Sequence, residues 1–297
     1  MTPRQAGLLG TLAALWGASY LLIKYGLDDF SPAWVVFLRT AIGALVLLAV
    51  VLLQGGETRR ALSDLRRRPW IALLLGLLAI AAPFLLISYG EEQVPSGLTA
   101  VLIAPAPLFV AVLAPLFDRS EAIHGAQAVG LVVGLAGVAL LVGVETVGTL
   151  AEFASAVGIL AAAACYALSG FIVKIAYRGV PAVTTSCISV GAGALLALPF
   201  AVATPPTHAP GLRSVLSLLV LGALGTALAF VIFYRLIAEV GAGRAALVTY
   251  LVPPLSLAYG ALLLGETITA ASVAGLLLIL GGVALAARRP AAPAAPD

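Results

Sequence analysis

The sequence predicts an all-α membrane protein, with ten transmembrane helices arranged as two inverted five-helix repeats around a central cavity. Three observations carry that fold class. Hydrophobic residues make up 62% of the chain and charged residues 10%, where a soluble domain has about 25% charged residues; the mean hydropathy is +1.13. Apolar stretches of about 20 residues, the length that crosses a bilayer as a helix, alternate with short polar breaks nearly end to end. The second half of the chain also repeats features of the first.

The expected spans of the first half are Ala6–Leu27, Trp34–Leu53, Trp70–Tyr89, Gly97–Phe117 and Gln127–Val144. The first resembles a signal peptide but has the length of a full span and no small-x-small site before its polar break, so it is read as retained. The second half supplies Ala154–Tyr177, Ala182–Ala203, Val215–Leu236, Ala245–Leu264 and Ala270–Ala287. Residues 1–148 and 149–289 are the two expected repeats, and 290–297 form a Pro/Ala-rich tail expected to be disordered.

Two stretches carry the repeat. Gly130-Leu-Val-Val-Gly-Leu-Ala-Gly-Val-Ala-Leu140 matches Gly275-Leu-Leu-Leu-Ile-Leu-Gly-Gly-Val-Ala-Leu285 at an offset of 145, and Trp16, Ser19 and Lys24 match Tyr166, Ser169 and Lys174 at an offset of 150. Five spans per copy is an odd number, so the second copy is expected upside down relative to the first, a construction of secondary transporters. Orientation follows from basic residues, which stay on the cytoplasmic side. With both termini cytoplasmic, Arg4, Arg59, Arg60, Arg66, Arg67, Arg68, Arg119, Lys174, Arg178, Arg235, Arg244, Arg288 and Arg289 lie inside, 13 of the 16 basic residues. Only Lys24, Arg39 and Arg213 remain towards the outside.

Several function classes find no support. The net charge of +3 comes with arginines beside apolar spans, which speaks for membrane topology and against a nucleic-acid partner. Cys165 and Cys187 lie in apolar segments without metal or redox spacing and read as core-filling residues. His124 and His208 fall in loops on opposite sides, so they form neither a metal site nor an acid/base pair and read as solvated. Hydrolase, metalloprotease and phosphate-loop motifs are absent, and Gly241-Ala-Gly243-Arg-Ala-Ala246 lacks the strand that a dinucleotide fingerprint requires. No enzyme activity, cofactor or metal is expected. The expected partners are a small-molecule substrate and the lipid bilayer, with the chain a monomer or weak dimer.

Candidate cavity residues follow from interruptions and polar faces. Prolines free backbone carbonyls, which membrane interiors tolerate only in buried or water-lined positions. Pro105, Pro107 and Pro115 fall in the fourth span and Pro253 and Pro254 in the ninth, with Pro107 and Pro253 at comparable depth. Trp16, Ser19 and Tyr20 share a helical face with Lys24, and Tyr166 and Ser169 repeat it. Thr99, Tyr250 and Ser256 add polar groups beside the prolines, while Tyr89, Phe230 and Tyr234 complete the aromatic lining. Any single Ser, Thr or Gly equally suits close helix packing, and Gly130, Gly134, Gly137, Gly275 and Gly282 are assigned wholly to packing. Charge inside a membrane faces a partner or the interior. Lys24 and Arg39 are therefore expected to pair with Glu91 or Glu92 near an outer gate, one glutamate carrying a driving proton; snorkelling of Lys24 and solvation of the glutamates is the alternative.

These residues together resemble the EamA branch of the drug/metabolite transporter superfamily. The resemblance covers almost the whole chain and rests on Trp16-Gly17-Ala18-Ser19, Lys24 before Asp28 and Pro32, Arg39, Glu92-Gln93-Val94-Pro95-Ser96-Gly97, Pro107, and Gly265-Glu266 followed by Gly275 and Gly282. Asp118-Arg119-Ser120-Glu121 departs from the Gly-Glu pair found at 265–266. The resemblance implies a ten-helix bundle with a central cavity that exports amino acids or other small metabolites across a bacterial inner membrane. Import or exchange of another solute stays open, and a membrane-embedded enzyme or a non-transporting scaffold is the reading from a different class.

Overall fold

The computed structural model describes residues 2–54, 69–117, 125–145, 149–240, 245 and 248–286, and every regular element among them is helical. The elements are α1 (Pro3–Leu27), α2 (Pro32–Gln54), α3 (Pro69–Gly76), α4 (Ala82–Gly90), α5 (Ser96–Ile103), α6 (Ala106–Phe117) and α7 (Ala126–Glu145). They continue with α8 (Leu150–Ala176), α9 (Ala182–Ala203), α10 (Leu212–Val220), α11 (Ala229–Val240), α12 (Val248–Tyr259) and α13 (Ala270–Ala286). Three π-helical segments interrupt or extend them: π1 (Leu77–Ala81) joins α3 to α4, π2 (Leu221–Leu228) joins α10 to α11, and π3 (Gly260–Leu264) follows α12.

Seven stretches are long and apolar enough to cross a membrane: Pro3–Leu27, Pro32–Gln54, Pro69–Gly90, Ser96–Leu113, Leu150–Ala176, Ala182–Ala203 and Leu212–Val240. Ala128–Leu141, Val248–Leu264 and Ala270–Leu285 are shorter apolar helices. Each of the ten expected segments overlaps one of these. Leu53, Leu116 and Leu262 are at least 78% exposed, an outward apolar surface that fits hydrocarbon rather than water. The chain is a multi-pass membrane protein. The Arg-rich connection 55–68, the 118–124 connection, most of 241–247 and the tail lie outside the described residues.

Both halves open the same way. Thr2 caps α1 by accepting from the Gln5 N–H while its own N–H donates to Gln5 Oε1, and Thr149 does the same at α8 with Glu152. These reciprocal boxes satisfy two orphan amides at each helix start.

Packing depends on small residues, since lipid tails give helices no hydrophobic reason to associate. The α7–α13 pair is the most extensive interface. A side chain at Gly137 would stand 2.8 Å from Leu278 Cβ and 2.9 Å from the Gly275 carbonyl, and one at Gly282 would enter the α7 backbone at Gly130 and Gly134. The glycine stripe therefore packs as expected. The interruptions follow proline content in the fourth span and depart from it in the ninth. The fourth span breaks at Ala104-Pro105, with Pro107 in the first turn of α6, where a missing N–H is harmless. The ninth runs helically through Pro253 and Pro254 and departs from α geometry only at π3. The interruptions that match between the halves are π1 and π2, in the third and eighth spans. Across π1 the span changes neighbours: α3 packs against α9, and α4 against α8.

Candidate functional site

Trp16 and Tyr166, which occupy equivalent positions in the two halves, both pack against two buried clusters and bridge them at the centre of the bundle. Trp16 lies 5.9 Å from the Phe230 ring and 5.1 Å from Phe233, and Phe230 contacts Phe84 at 6.4 Å and Tyr234 at 5.8 Å. These offset and edge-on contacts are the favoured arrangement of ring quadrupoles. Packed rings thus fill the centre at the position expected for a cavity. Phe84 and Phe233 belong to this cluster but not to the sequence expectation, because single phenylalanines in apolar spans carry no signal of which way they face.

Beside the rings sits a buried polar group. Arg39 is only 4% exposed; its Nε donates to Thr226 Oγ1 at 3.3 Å, and its guanidinium stacks 3.9 Å from the Phe84 ring centre. Thr226 is placed by π2, where its hydroxyl donates to the Leu221 carbonyl five residues back. Tyr20, Tyr166 and Glu91 are the other ionisable groups within electrostatic reach of Arg39. Lys24 Nζ donates to the main-chain carbonyl of Glu91, which differs from the expected carboxylate pairing. The glutamate pair is split. Glu91 closes α4 and turns inward, fully buried, and neither carboxylate oxygen has a hydrogen-bond partner; Glu92 is exposed. Burial pushes the Glu91 carboxyl well above the usual carboxylate range, against the opposing pull of Lys24 and Arg39 and with Glu266 adding to the rise. Desolvation raises Glu92 too, offset by Lys24.

Glu266 is the most connected acid of this end. Its carboxylate accepts from the Ser96 N–H at 2.8 Å, the Ser96 hydroxyl at 2.9 Å and the Gly97 N–H at 3.0 Å. It therefore caps α5 from the other half of the chain. Gly265 makes that possible with φ 69°, a left-handed conformation that glycine adopts without a Cβ penalty. Ser256 donates to the Ser96 carbonyl at 3.3 Å, and the Thr99 hydroxyl donates to Pro95. The Gly265-Glu266 motif was visible in the sequence; that it reaches across to α5 is information only the fold holds.

More ties join the halves at the same end. Asp29 accepts from the Ser214 hydroxyl at 2.6 Å, the Gly211 N–H at 2.8 Å and His208 Nε2 at 3.1 Å, and these bonds, that from Ser214 foremost, hold its carboxyl below the ordinary range. His208 is thus half-exposed and bonded rather than simply solvated. Ser31 Oγ lies 2.8 Å from Thr204 Oγ1, and Arg213 stacks 3.6 Å from the Tyr25 ring centre. At the opposite end Gln5 donates to Glu239 at 3.4 Å.

Of the remaining candidates, Ser19 and Ser169 return their hydroxyls to their own helices, to the carbonyls of Leu15 and Tyr166. Pro253 is buried, and Pro107 is half-buried. Tyr250 packs with a separate cluster around Val94 and Leu98. Tyr89 is 43% exposed and lies apart from the ring cluster. The described residues contain no group of three or more His, Cys, Asp or Glu side chains that could hold a metal, and Cys165 and Cys187 are free thiols.

Comparison with known proteins places this architecture. The EamA-like transporter family matches residues 5–143 and again 154–288, one match per half. The chain is 28% identical over 282 residues to the uncharacterized transporter YoaV of Bacillus subtilis, covering 93% of this chain and 94% of that protein. It is 30% identical over 281 residues to a probable terminal-alkyne amino-acid exporter of Streptantibioticus cattleyicolor, covering 92% and 90%. A solved crystal structure superposes with a TM-score of 0.68 at 20% identity, over 96% of this chain and 97% of that one, a likeness of fold. With two family matches spanning its two apolar halves, this membrane chain belongs to the EamA-like transporter family.

Proposed function

We propose that this protein is a secondary active transporter that exports amino acids or similar small metabolites by alternating access. In this reading residues 1–148 and 149–289 are inverted repeats of five spans each, both termini are cytoplasmic, and the protein lies in the inner membrane. The observation that carries it is the buried set Tyr20, Arg39 and Glu91, with the partly buried Tyr166 beside them, against the Trp16 ring cluster. Ionisable groups inside a membrane protein face the bundle interior and mark a solute or ion path. Lys24, Glu91 and the ties of Asp29 and Glu266 form the outer gate in this reading, and one glutamate of the pair Glu91 and Glu92 carries the coupling proton. The exporter direction is supported by the name of the S. cattleyicolor relative.

Counterflow in proteoliposomes with a labelled amino-acid panel tests the reading. Wild-type protein exchanges at least one solute, Trp16→Ala reduces exchange at least tenfold, and Tyr89→Ala leaves it within twofold. An imposed pH gradient accelerates efflux, and Glu92→Gln weakens that acceleration. Absence of flux for every solute in the panel refutes the exporter reading; flux indifferent to pH, with Glu92→Gln unchanged, refutes only the coupling.

A further inference from the structure

The interior holds two ionisable side chains in unequal circumstances. Arg39 has a hydrogen bond and a ring beneath it. Glu91 has nothing on either carboxylate oxygen, and one helical turn below it the fully buried Ser88 hydroxyl is also without a partner. Residues three apart share a helix face, so three oxygen acceptors stand unfilled on one side of α4. Buried polar atoms in folded proteins are almost always satisfied, and exceptions call for a ligand, ion or water. Acceptors with a carboxylate among them select a cationic donor, and an ammonium, with its three N–H groups, matches three oxygens. Lys24 already holds its own ammonium against the Glu91 main chain, so this end of α4 accommodates that group.

The second group lies against the same helix, further along it. Phe84, under the Arg39 guanidinium, lies seven residues before Glu91 on the same helix, about 10 Å along its axis. An α-amino acid bonded at both ends needs about 9 Å, from two hydrogen bonds of about 2.9 Å and roughly 3 Å between its charged groups. Arg39 presents the planar fork that suits a carboxylate, and Tyr20 and Tyr166 stand within reach of it.

We infer that Glu91 with Ser88 is the ammonium subsite, and Arg39 with Thr226 the carboxylate subsite, of one site for zwitterionic α-amino acids. This rests on the exporter reading above and assigns each end of the substrate to named side chains. When the ring cluster parts, the substrate's backbone spans α4 and α2 while its side chain lies among Trp16, Phe230 and Phe233. A solute with only one of the two charges leaves the opposite buried charge uncompensated, which is the source of selectivity.

The test uses full-length protein in proteoliposomes, with labelled L-leucine and L-phenylalanine as probes. Competitors are their decarboxylated forms, 3-methylbutylamine and phenethylamine, and their deaminated forms, 4-methylpentanoate and 3-phenylpropionate. For wild-type protein each one-charge competitor is at least tenfold weaker than the parent amino acid. Glu91→Gln narrows the gap between amino acid and deaminated acid to within threefold and leaves the gap to the amine; Arg39→Gln does the reverse. Glu91→Asp restores at least part of the preference, and elution as a single detergent-solubilised species shows that each variant folds. If folded Glu91→Gln and Arg39→Gln keep wild-type preferences, the site assignment falls while the exporter reading stands. If wild-type protein moves neither probe but moves other solutes, the zwitterion assignment falls; if it moves nothing, the exporter reading falls with it.

Discussion

Removing the Glu266 carboxylate should open the end of the molecule that it closes. Glu266→Ala strips three donors at once, two of them the Ser96 and Gly97 amides at the start of α5. Loss of an N-cap costs about 1–2 kcal/mol, and loss of a negative charge at a helix N-terminus about 0.3–1 kcal/mol more. A central value near 2 kcal/mol shifts an equilibrium between closed and open by about 30-fold. Glu266→Gln keeps one acceptor oxygen without the charge and should shift it about fivefold, roughly 1 kcal/mol. Thr99 is fully buried one turn beyond the tie. A cysteine placed there, with Cys165 and Cys187 replaced by alanine, reports opening through its rate of reaction with a membrane-impermeant maleimide. The rate rises about 30-fold with Glu266→Ala and about fivefold with Glu266→Gln. Equal rates in all three backgrounds, with the protein folded, would refute the claim that this contact holds the end shut.

Other consequences are simpler to measure. Gly282→Leu drives a side chain into the α7 backbone and should cost at least about 1–3 kcal/mol, seen as a lower thermal midpoint in detergent; Gly281→Ala, with open space around it and a better helix former in place, holds or raises the midpoint. Because the Glu91 carboxyl is raised by burial, the folded state holds its proton more tightly than the unfolded chain does, and stability falls as pH rises above the ordinary carboxylate pKa of about 4.3. Glu91→Gln therefore raises the thermal midpoint at pH 8, with the gain shrinking towards pH 5. Asp29 has the opposite sign. Its carboxyl is lowered first by Ser214, then by Gly211 and His208, so its tie is intact above about pH 3.9 and is lost as pH falls below that. The thermal midpoint of Asp29→Asn should lie below that of wild-type protein at pH 7, and the gap should narrow as pH falls below about 3.9.

How much of this was legible beforehand depends on the range of each interaction. Apolar length and the glycine stripe are properties of single helices, so each expected segment meets a helix and Gly137 and Gly282 pack as foreseen. The buried Arg39 also announced itself, since a guanidinium in an apolar span has few other places to go. The split between Glu91 and Glu92 was not legible: adjacent residues differ by about 100° around a helix axis, and which one turns inward depends on the rotation of α4. That rotation is set upstream at π1, a run of Leu, Ala and Ile with no compositional mark. Proline marked the break of the fourth span, which falls at Ala104-Pro105, but not the ninth, which stays helical through Pro253 and Pro254; proline constrains only its own turn and is harmless at the start of a helix. The two threonine capping boxes follow Thr-x-x-Gln and Thr-x-x-Glu patterns, which a reading led by apolar length passed over. Glu266 needed the tertiary structure, as its partners lie 170 and 169 residues away.

The π1 segment also makes the site sensitive to chain length in a way that substitution does not reveal. A π turn holds one residue more than the α turn it replaces, and because the wider turn absorbs that residue, the side chains after it keep the faces an uninterrupted α-helix would give them. Deleting a single residue among Leu77–Ala81 would therefore let the third span close into an α-helix, equally apolar and about as long, with Phe84, Ser88 and Glu91 still turned inward. Deleting a second residue, with no wide turn left to absorb it, would rotate all three by about 100°, leaving a carboxylate facing lipid and Arg39 without its ring. The segment is a reserve of one residue in the register of the protein's centre.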